Sequence, residues 1–292
     1  VFNSVSAFCN AGIDIIAENS LCNYAANPLI NIVTSALIIL GGLGYIVWWD
    51  VLRVVKSRSP KNRKIFRHLT LHSKIAITVT AGLILAGAIL IFIFEYANPL
   101  TIGEMNLFDK IQVSFFQSVT TRTAGFATIP QENLKNASAA VSLLLMLIGG
   151  SPVGTAGGMK TVTIAVLICS AFATIRNKNS ATLFGRRISD DSMKKAVAVV
   201  VMFLTICVTS TVLILATSNA SAIDAVYETV SATATVGLSR NFTATLNTFG
   251  KLIIIATMYF GRVGPISLAV ALGSKNESQN VISEPTEDIS IG

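Results

Sequence analysis

Residues 227–237 read YETVSATATVG, a short run of Ser, Thr and small apolar residues that ends on a glycine. Two other stretches align with it without gaps on that glycine, FNSVSAFCNAG at 2–12 and FFQSVTTRTAG at 115–125. The aligned glycines, Gly12, Gly125 and Gly237, stand 113 and 112 residues apart. A period of this length is too long for a solenoid repeat, so it indicates a duplicated supersecondary unit.

The composition places these units in a membrane. Of the 292 residues, 52% are apolar and 13% are charged, and a mean hydropathy of +0.66 excludes an ordinary soluble enzyme. Apolar stretches of about 20 residues, the length that spans a bilayer, lie near 29–49, 75–95, 193–217 and 248–272, and the stretch 137–175 is interrupted by glycines. The sequence therefore predicts an all-α membrane protein with about five spans, one of them broken.

Each repeated unit has an apolar span, a short amphipathic segment, the aligned glycine, a polar stretch and a second span. The short segments at 108–121 and 222–233 are too brief to cross a bilayer, so they are predicted to be re-entrant half-helices. Irregular backbone at membrane depth is tolerated where it is buried in protein or lines water. We therefore expect the glycine turns to line a pathway that opens to the outside. The alternative, a plain glycine turn between two helices, is disfavoured because the same turn recurs three times in register.

The chemistry of these turns suits a dehydrated cation. Successive carbonyl oxygens can replace a hydration shell, and glycine permits the positive φ that turns a carbonyl toward an axis. The half-helix before each turn directs its partly negative C-terminal end to the same place. The predicted ligand is potassium, with sodium as a possible second ion, held at the backbone carbonyls alone; no covalently bound cofactor is expected.

A second motif, GGSPVGTAGGMKT at 149–161, comes within one residue of a phosphate-binding loop, because Met159 stands where that pattern needs glycine. A phosphate-binding loop follows a β-strand and opens a helix in a βαβ unit. Here LLLMLIGG precedes the glycines and VTIAVLICSAF follows them, so both flanks belong to membrane spans. The motif is interpreted as a loop inside a broken transmembrane helix.

The net charge of +7 is concentrated in the loops 50–74 and 176–195. Short basic loops are retained inside the cell, so both loops and the C-terminal tail 274–292 are predicted to be cytoplasmic. Nucleic acid is disfavoured as a partner because the basic residues are not interleaved with stacking aromatic residues. The four cysteines lack metal-ligand spacing, and a disulfide between Cys9 and Cys22 is conceivable.

Together, the turns SAFCNAGID, TTRTAGFAT and SATATVGLS, the loop GGSPVGTAGGMKT and the stretch GRVGPISLA at 261–269 resemble the Trk/Ktr/HKT superfamily of potassium transport proteins. The resemblance is nearest to the membrane subunit of bacterial Ktr systems and covers essentially the whole chain. That family has four span, pore-loop and span units around one pore. The resemblance implies a partial second unit at 1–56, a third unit at 57–185 with a broken inner helix, and a fourth unit at 186–273. The first unit has no counterpart here, so an N-terminally truncated chain is expected.

The resemblance also assigns site residues. The filter would comprise the three glycines and the carbonyl donors before them: Asn10, Ala11, Gly12, Thr123, Ala124, Gly125, Thr235, Val236 and Gly237. The gate beneath it would comprise the glycine-rich loop, the lysine at its end and an arginine of the last span: Gly149, Gly150, Gly154, Gly157, Gly158, Lys160 and Arg262.

Three charged residues near these motifs carry separate hypotheses. Arg262 lies in an apolar helix, where a charge is costly, and is expected to raise the barrier for cations and to hold the gate loop by hydrogen bonds. Lys160 either repels cations or anchors the helix restart. Arg122 is expected to form a structural salt bridge behind the filter, with Glu228 as a plausible partner.

The resemblance implies a homodimer in the cell membrane, resting on a cytosolic ring that binds nucleotides. The predicted function is potassium uptake. The alternative is a sodium-coupled or sodium-permeable secondary transporter of another solute, because broken helices at the membrane midplane also build substrate sites. An enzyme is not expected, since no nucleophile, base and orienting group occur in a credible order.

Overall fold

The computed structural model describes residues 1–16, 19–57, 65–178 and 180–264. This part of the chain is almost entirely α-helical and carries one two-stranded hairpin. In chain order the elements are α1 (Phe2–Phe8), α2 (Pro28–Gly42), α3 (Tyr45–Lys56), α4 (Ile65–His68), α5 (Leu71–Glu95), α6 (Leu107–Thr120), α7 (Asn136–Leu147), α8 (Thr161–Ile175), β1 (Thr182–Leu183), β2 (Arg186–Arg187), α9 (Asp190–Thr217), α10 (Ala222–Thr233) and α11 (Thr248–Val263).

Short polar side chains set where the main helices begin. The side chains of Asn27, Thr70, Ser189, Ser221 and Asn247 accept hydrogen bonds from the first free backbone N–H groups of α2, α5, α9, α10 and α11. These groups have no partner within the helix, so a capping oxygen satisfies them. The helix starts are therefore determined locally, by residues visible in the sequence.

The predicted half-helices are present as α6 and α10, and α1 occupies the same place before the first glycine turn. The longer of the two, α6, has 14 residues and rises about 21 Å, which is less than the roughly 30 Å of a bilayer core. Their small polar side chains are fully buried, among them Ser118, Thr120 and Thr233. The half-helices thus lie inside the protein.

Two helices of the described chain, α5 with 25 residues and α9 with 28, are long and apolar enough to cross a membrane. They correspond to the spans predicted near 75–95 and 193–217. Their outward sides expose large apolar residues, including Leu85, Ile89, Val208 and Val212, each more than half exposed. In a membrane protein an exposed apolar surface of this kind faces the lipid tails.

The apolar stretch predicted as a span near 29–49 is not one straight helix. The chain bends by 91° between α2 and α3, at Gly44, whose φ is +82°. A β-carbon built there would lie 2.6 Å from the carbonyl oxygen of Pro152 in the glycine-rich loop. The bend therefore exists because this backbone packs directly on that loop, which only glycine permits.

The break predicted within 137–175 is present, since α7 ends at Leu147 and α8 begins at Thr161. The two ends are tied by a short parallel bridge between Ile148 and Met159. The last predicted span, 248–272, is helical as α11 to Val263, and its remainder from residue 265 lies outside the described residues, as does the tail 274–292. The count of about five spans and the unit boundaries stay predictions.

Candidate ion pathway

The three glycine turns share one backbone conformation. In each turn the first predicted carbonyl donor and the glycine have positive φ, while the residue between them does not. The φ values are +50° and +66° at Asn10 and Gly12, +70° and +86° at Thr123 and Gly125, and +53° and +95° at Thr235 and Gly237. Left-handed φ is uncommon outside glycine, so its recurrence at matching positions shows that the repeat is structural as well as sequential.

The three turns meet at one place. A β-carbon built on Gly125 would lie 2.4 Å from the carbonyl oxygen of Val236 and 3.0 Å from the Cα of Gly12. One built on Gly12 would lie 2.5 Å from the carbonyl oxygen of Ala124. The residues assigned to the filter are therefore brought together from three segments of the chain.

Hydrogen bonds fix the direction of the peptide groups in the turns. The N–H groups of Ala11, Ala124 and Val236 donate back to carbonyl oxygens of their own half-helices, at 2.9, 2.9 and 2.8 Å. In a planar trans peptide the C=O of the preceding residue points the opposite way. The carbonyl oxygens of Asn10, Thr123 and Thr235 therefore point away from the half-helices.

Outside the turns lies a cavity of about 360 Å³ that touches all three glycines. Its wall carries two carboxylates, Asp14 and Glu132, and the carboxamide residue Gln131. An acidic wall raises the local concentration of cations. Two acidic side chains thus line the cavity that touches the three turns.

The glycine-rich loop 148–160 lies on the other side of the turns. Its Thr155 hydroxyl donates to the carbonyl oxygen of Phe8 at 3.1 Å, and its Gly157 N–H donates to the hydroxyl of Thr123 at 3.0 Å. A β-carbon on Gly157 would lie 2.1 Å from the hydroxyl of Thr235. The loop thus contacts all three units directly beneath the turns.

The two charged residues assigned to the gate face one cavity below the loop. This cavity, of about 500 Å³, is lined by Lys160, Arg262 and the glycines at 154, 157 and 158. Arg262 donates to the carbonyl oxygen of Thr155 at 3.0 Å, and Lys160 donates to that of Ala156 at 2.7 Å. Two basic side chains therefore face the same cavity below the loop. Gly149 and Gly150 lie at the start of the loop.

The predicted salt bridge of Arg122 is wrong. Its guanidinium is buried and donates to the carbonyl oxygens of Gly149 at 2.7 Å and Thr80 at 3.2 Å. Glu228 instead accepts hydrogen bonds from the hydroxyls of Ser239 and Thr243. The two side chains belong to different units, and backbone carbonyls replace the carboxylate as the acceptors for Arg122.

Sequence reasoning missed a buried network behind the turns. The side chain of Gln131 accepts from Gln117 at 2.6 Å and from the hydroxyl of Tyr227 at 3.0 Å, and so joins α6 to α10. Its members come from three distant segments, and no spacing in the sequence marks them as neighbours. Fully satisfied buried networks of this kind make a structure rigid.

A second cluster that the sequence did not reveal lies beside the cavity of about 360 Å³. Arg240 donates to Asp224 at 2.8 Å and to the carbonyl oxygens of Gln131 and Glu132 at 3.2 Å. Partial burial alone would raise the pKa of Asp224, but hydrogen bonds from Ser221 and Arg240 hold that pKa below its ordinary value. The carboxylate is therefore charged at neutral pH, and the cluster fastens the rim of the outer cavity.

The disulfide considered between Cys9 and Cys22 is not formed. All four cysteines lie in the described part of the chain and are free. The thiol of Cys22 donates instead to the carbonyl oxygen of Ala127 at 3.6 Å. Within the described residues there is also no group of three metal-ligating side chains.

The fold defines the class: an almost entirely α-helical protein with helices long and apolar enough to cross a membrane. Residues 1–284 match the family model described as TrkH, cation transport protein. The chain therefore belongs to the TrkH family of cation transport proteins.

Two relatives in this family are named as uptake proteins. The chain is 37% identical over 281 residues to "Ktr system potassium uptake protein B" of Bacillus subtilis, covering 96% of this chain and 61% of the relative. It is 37% identical over 297 residues to "Potassium/sodium uptake protein NtpJ" of Enterococcus hirae, covering 100% and 63%. The chain thus spans less than two thirds of the length of these relatives.

A solved structure shows the same fold. The chain is similar to the potassium transporter TrkH from Vibrio parahaemolyticus with a TM-score of 0.75, at 17% sequence identity. The match covers 91% of this chain and 56% of that one. At this identity the similarity concerns the fold alone.

Proposed function

We propose that this chain forms part of a potassium uptake pathway, with backbone carbonyls of the three glycine turns as the cation ligands. The observation that carries the proposal is the left-handed backbone repeated in three turns that meet at one place. Carbonyls that point away from the half-helices offer a cation the oxygen shell that it loses on leaving water. The names of the Bacillus and Enterococcus relatives support potassium as the ion and leave sodium as a second candidate.

The glycine-rich loop and Arg262 are proposed as the gate of this pathway. The loop contacts the inner side of all three units, and Arg262 holds it through the carbonyl oxygen of Thr155. A positive charge at this point repels a cation. Displacement of the loop would then open the route from the turns to the cavity below.

The gate side is proposed to face the cytoplasm of a cell whose plasma membrane holds the protein. Pro152 of the loop shares a cavity with Arg187 and Lys195, which belong to the basic loop 176–195. Basic residues of short loops are retained inside. The outer cavity with Asp14 and Glu132 then faces the external medium, from which potassium is taken up.

Partners are proposed from the name of the Bacillus relative, which describes a member of a Ktr system. We propose that this protein acts as a homodimer of membrane subunits on a cytosolic nucleotide-binding ring. The two basic loops on the gate side are the candidate docking surfaces. Light scattering of the purified membrane protein would give its mass, and a monomer would contradict the dimer.

The test of the function uses the protein expressed from its complete gene in a bacterial strain that lacks its own potassium uptake systems. Initial uptake of potassium and sodium is measured for the parent and for Gly237→Asp. We expect potassium uptake in the parent and its loss in the variant, because Gly237 has a φ of +95° within the turn and a carboxylate there would bind the ion in place.

The matched control is Asn241→Asp. Asn241 also has a positive φ, of +62°, but its side chain is exposed outside the turn, and the change likewise introduces a carboxylate. This variant should take up potassium like the parent. Uptake that is absent in the parent, or unchanged in Gly237→Asp at equal membrane levels, would contradict the proposal and favour a secondary transporter of another solute.

A further inference from the structure

We propose that Thr123 is a positioning residue that couples the gate loop to cation occupancy. Its side-chain oxygen accepts a hydrogen bond from the Gly157 N–H when the loop lies against the turns, which is the docked state. A docked loop and a cation at the inner end of the turns then exclude each other. The proposal rests on the proposed function, since it specifies how the same pathway is regulated.

The first observation is that one turn holds both ends of the loop. Arg122 donates to the carbonyl oxygen of Gly149, where the loop begins, at 2.7 Å. The next residue, Thr123, accepts from Gly157 at 3.0 Å. Both residues are buried, Thr123 completely. A shift of the turn that ends on Gly125 is therefore transmitted to the loop at two points.

The second observation is that the other two turns hold the loop differently. The second unit accepts the Thr155 hydroxyl at the carbonyl oxygen of Phe8, which lies in the half-helix before the turn. In the fourth unit the hydroxyl of Thr235, at the position equivalent to Thr123, is buried and has no hydrogen-bond partner. Asn10, Thr123 and Thr235 occupy equivalent positions, two residues before the glycine of each turn. Among these three described residues, Thr123 is the one whose side chain forms a hydrogen bond with the loop.

The third observation concerns the space that the loop occupies. Gly157 is buried between two units, with its N–H on Thr123 and its Cα side against Thr235 and the carbonyl oxygen of Ala234. A β-carbon on Gly157 would lie 2.1 Å from the Thr235 hydroxyl and 2.5 Å from that carbonyl oxygen. The bare peptide of Gly157 therefore fills the place directly beneath the turns.

These observations imply competition between the loop and the ion. An amide N–H brings its partly positive hydrogen to the Thr123 oxygen, which is where a cation at the inner end would seek a ligand. The peptide of Gly157 occupies the small space beside this oxygen, and the partly positive N–H hydrogen repels a cation that approaches the same oxygen. By reciprocal linkage, a cation that fills the inner end must weaken loop docking as much as docking weakens cation binding.

The test measures loop docking directly, with Ser151→Cys as the reporter. Ser151 lies in the loop and is fully buried, and the change from oxygen to sulfur is small. In the complete protein, with its native cysteines replaced, a membrane-impermeant maleimide is applied from the cytoplasmic side, with potassium or with N-methylglucamine as the cation. We expect slow labelling in N-methylglucamine and faster labelling in potassium; reaction only from the outside would overturn the proposed orientation.

Thr123→Val keeps the shape of the side chain and removes its oxygen. We expect it to raise the labelling rate in N-methylglucamine roughly three- to tenfold, the effect of one neutral hydrogen bond, and to abolish the increase that potassium produces. Thr123→Ser keeps the oxygen and should restore both the slow rate and its potassium dependence. Thr235→Val breaks no hydrogen bond to the loop and should leave the labelling rate in N-methylglucamine at the parental value.

Equal labelling of the parent and Thr123→Val, with potassium dependence retained in both, would overturn the proposal. If Thr123→Val does not yield monodisperse protein, the comparison is made with Gly157→Ala, which displaces the loop by contact with Thr235 and leaves Thr123 intact. Fast labelling of that variant with a persistent potassium effect would also overturn the proposal. Potassium uptake of the parent, measured in parallel, shows separately whether the proposed function itself fails.

Discussion

Replacing Gly125 by alanine is expected to reduce potassium uptake at least about 100-fold. Gly125 has a φ of +86°, and its added β-carbon would lie 2.4 Å from the carbonyl oxygen of Val236 and 3.0 Å from the Cα of Gly12. Both neighbours are backbone atoms of other turns, so no side chain can rotate to make room. A misplacement of about 1 Å in the ligand shell costs about 100-fold by analogy with other positioned sites.

The matched control for this change is Gly82→Ala. Gly82 lies in α5, and a β-carbon built on it meets no atom within 4 Å. Alanine favours a helix over glycine by about 1 kcal/mol, so this variant should keep its uptake and be at least as stable. Initial uptake rates are compared at equal amounts of protein in the membrane. Parental uptake by Gly125→Ala would contradict the role of the turns as the cation ligands.

Replacing Arg262 by glutamine is expected to raise the rate of potassium uptake about tenfold, which corresponds to about 1.4 kcal/mol of barrier. The change removes the hydrogen bond to Thr155 and one of two positive charges that face the cavity of about 500 Å³ below the loop. Both effects favour a cation below the turns, because the loop is held less firmly and the repulsion is smaller. Initial uptake in cells or proteoliposomes measures the result.

Two further variants separate the causes. Lys251→Gln removes an exposed charge from the same helix, α11, far from the loop, and should leave the rate unchanged. Arg262→Lys keeps the charge but loses the planar guanidinium. A parental rate in this variant would assign the effect to charge, and a raised rate would assign it to the hydrogen bond. An unchanged rate and unchanged regulation in Arg262→Gln would count against Arg262 as part of the gate.

Arg262 and Lys160, the two charged residues assigned to the gate, make different contacts with the loop. Arg262 makes the hydrogen bond to the loop that its hypothesis requires. For Lys160 the structure shows both features that were considered, since its backbone caps α8 and its ammonium donates within the loop while lining the cavity. Its role, whether repulsion or anchoring, stays open to the same uptake measurement with Lys160→Gln.

Local features of the chain were predictable from the sequence by itself. The half-helices, the positive φ of the glycines and the break between α7 and α8 depend on neighbours within a few residues. Hydrophobic length and glycine spacing in the sequence indicate them. The threefold repeat then located equivalent turns without any structure. It also indicated which residues are equivalent, and the matching φ values follow that alignment.

Tertiary structure alone decided the partners of these features. Arg122 bonds to Gly149 and Thr80, Gln131 joins two half-helices, and α2 bends at Gly44 because the loop packs on it. Each depends on a contact between residues 14 to 108 positions apart. A sequence pattern identifies a residue that needs a partner but does not identify the partner. A buried donor must be satisfied, but which carbonyl satisfies it is determined by how the units pack.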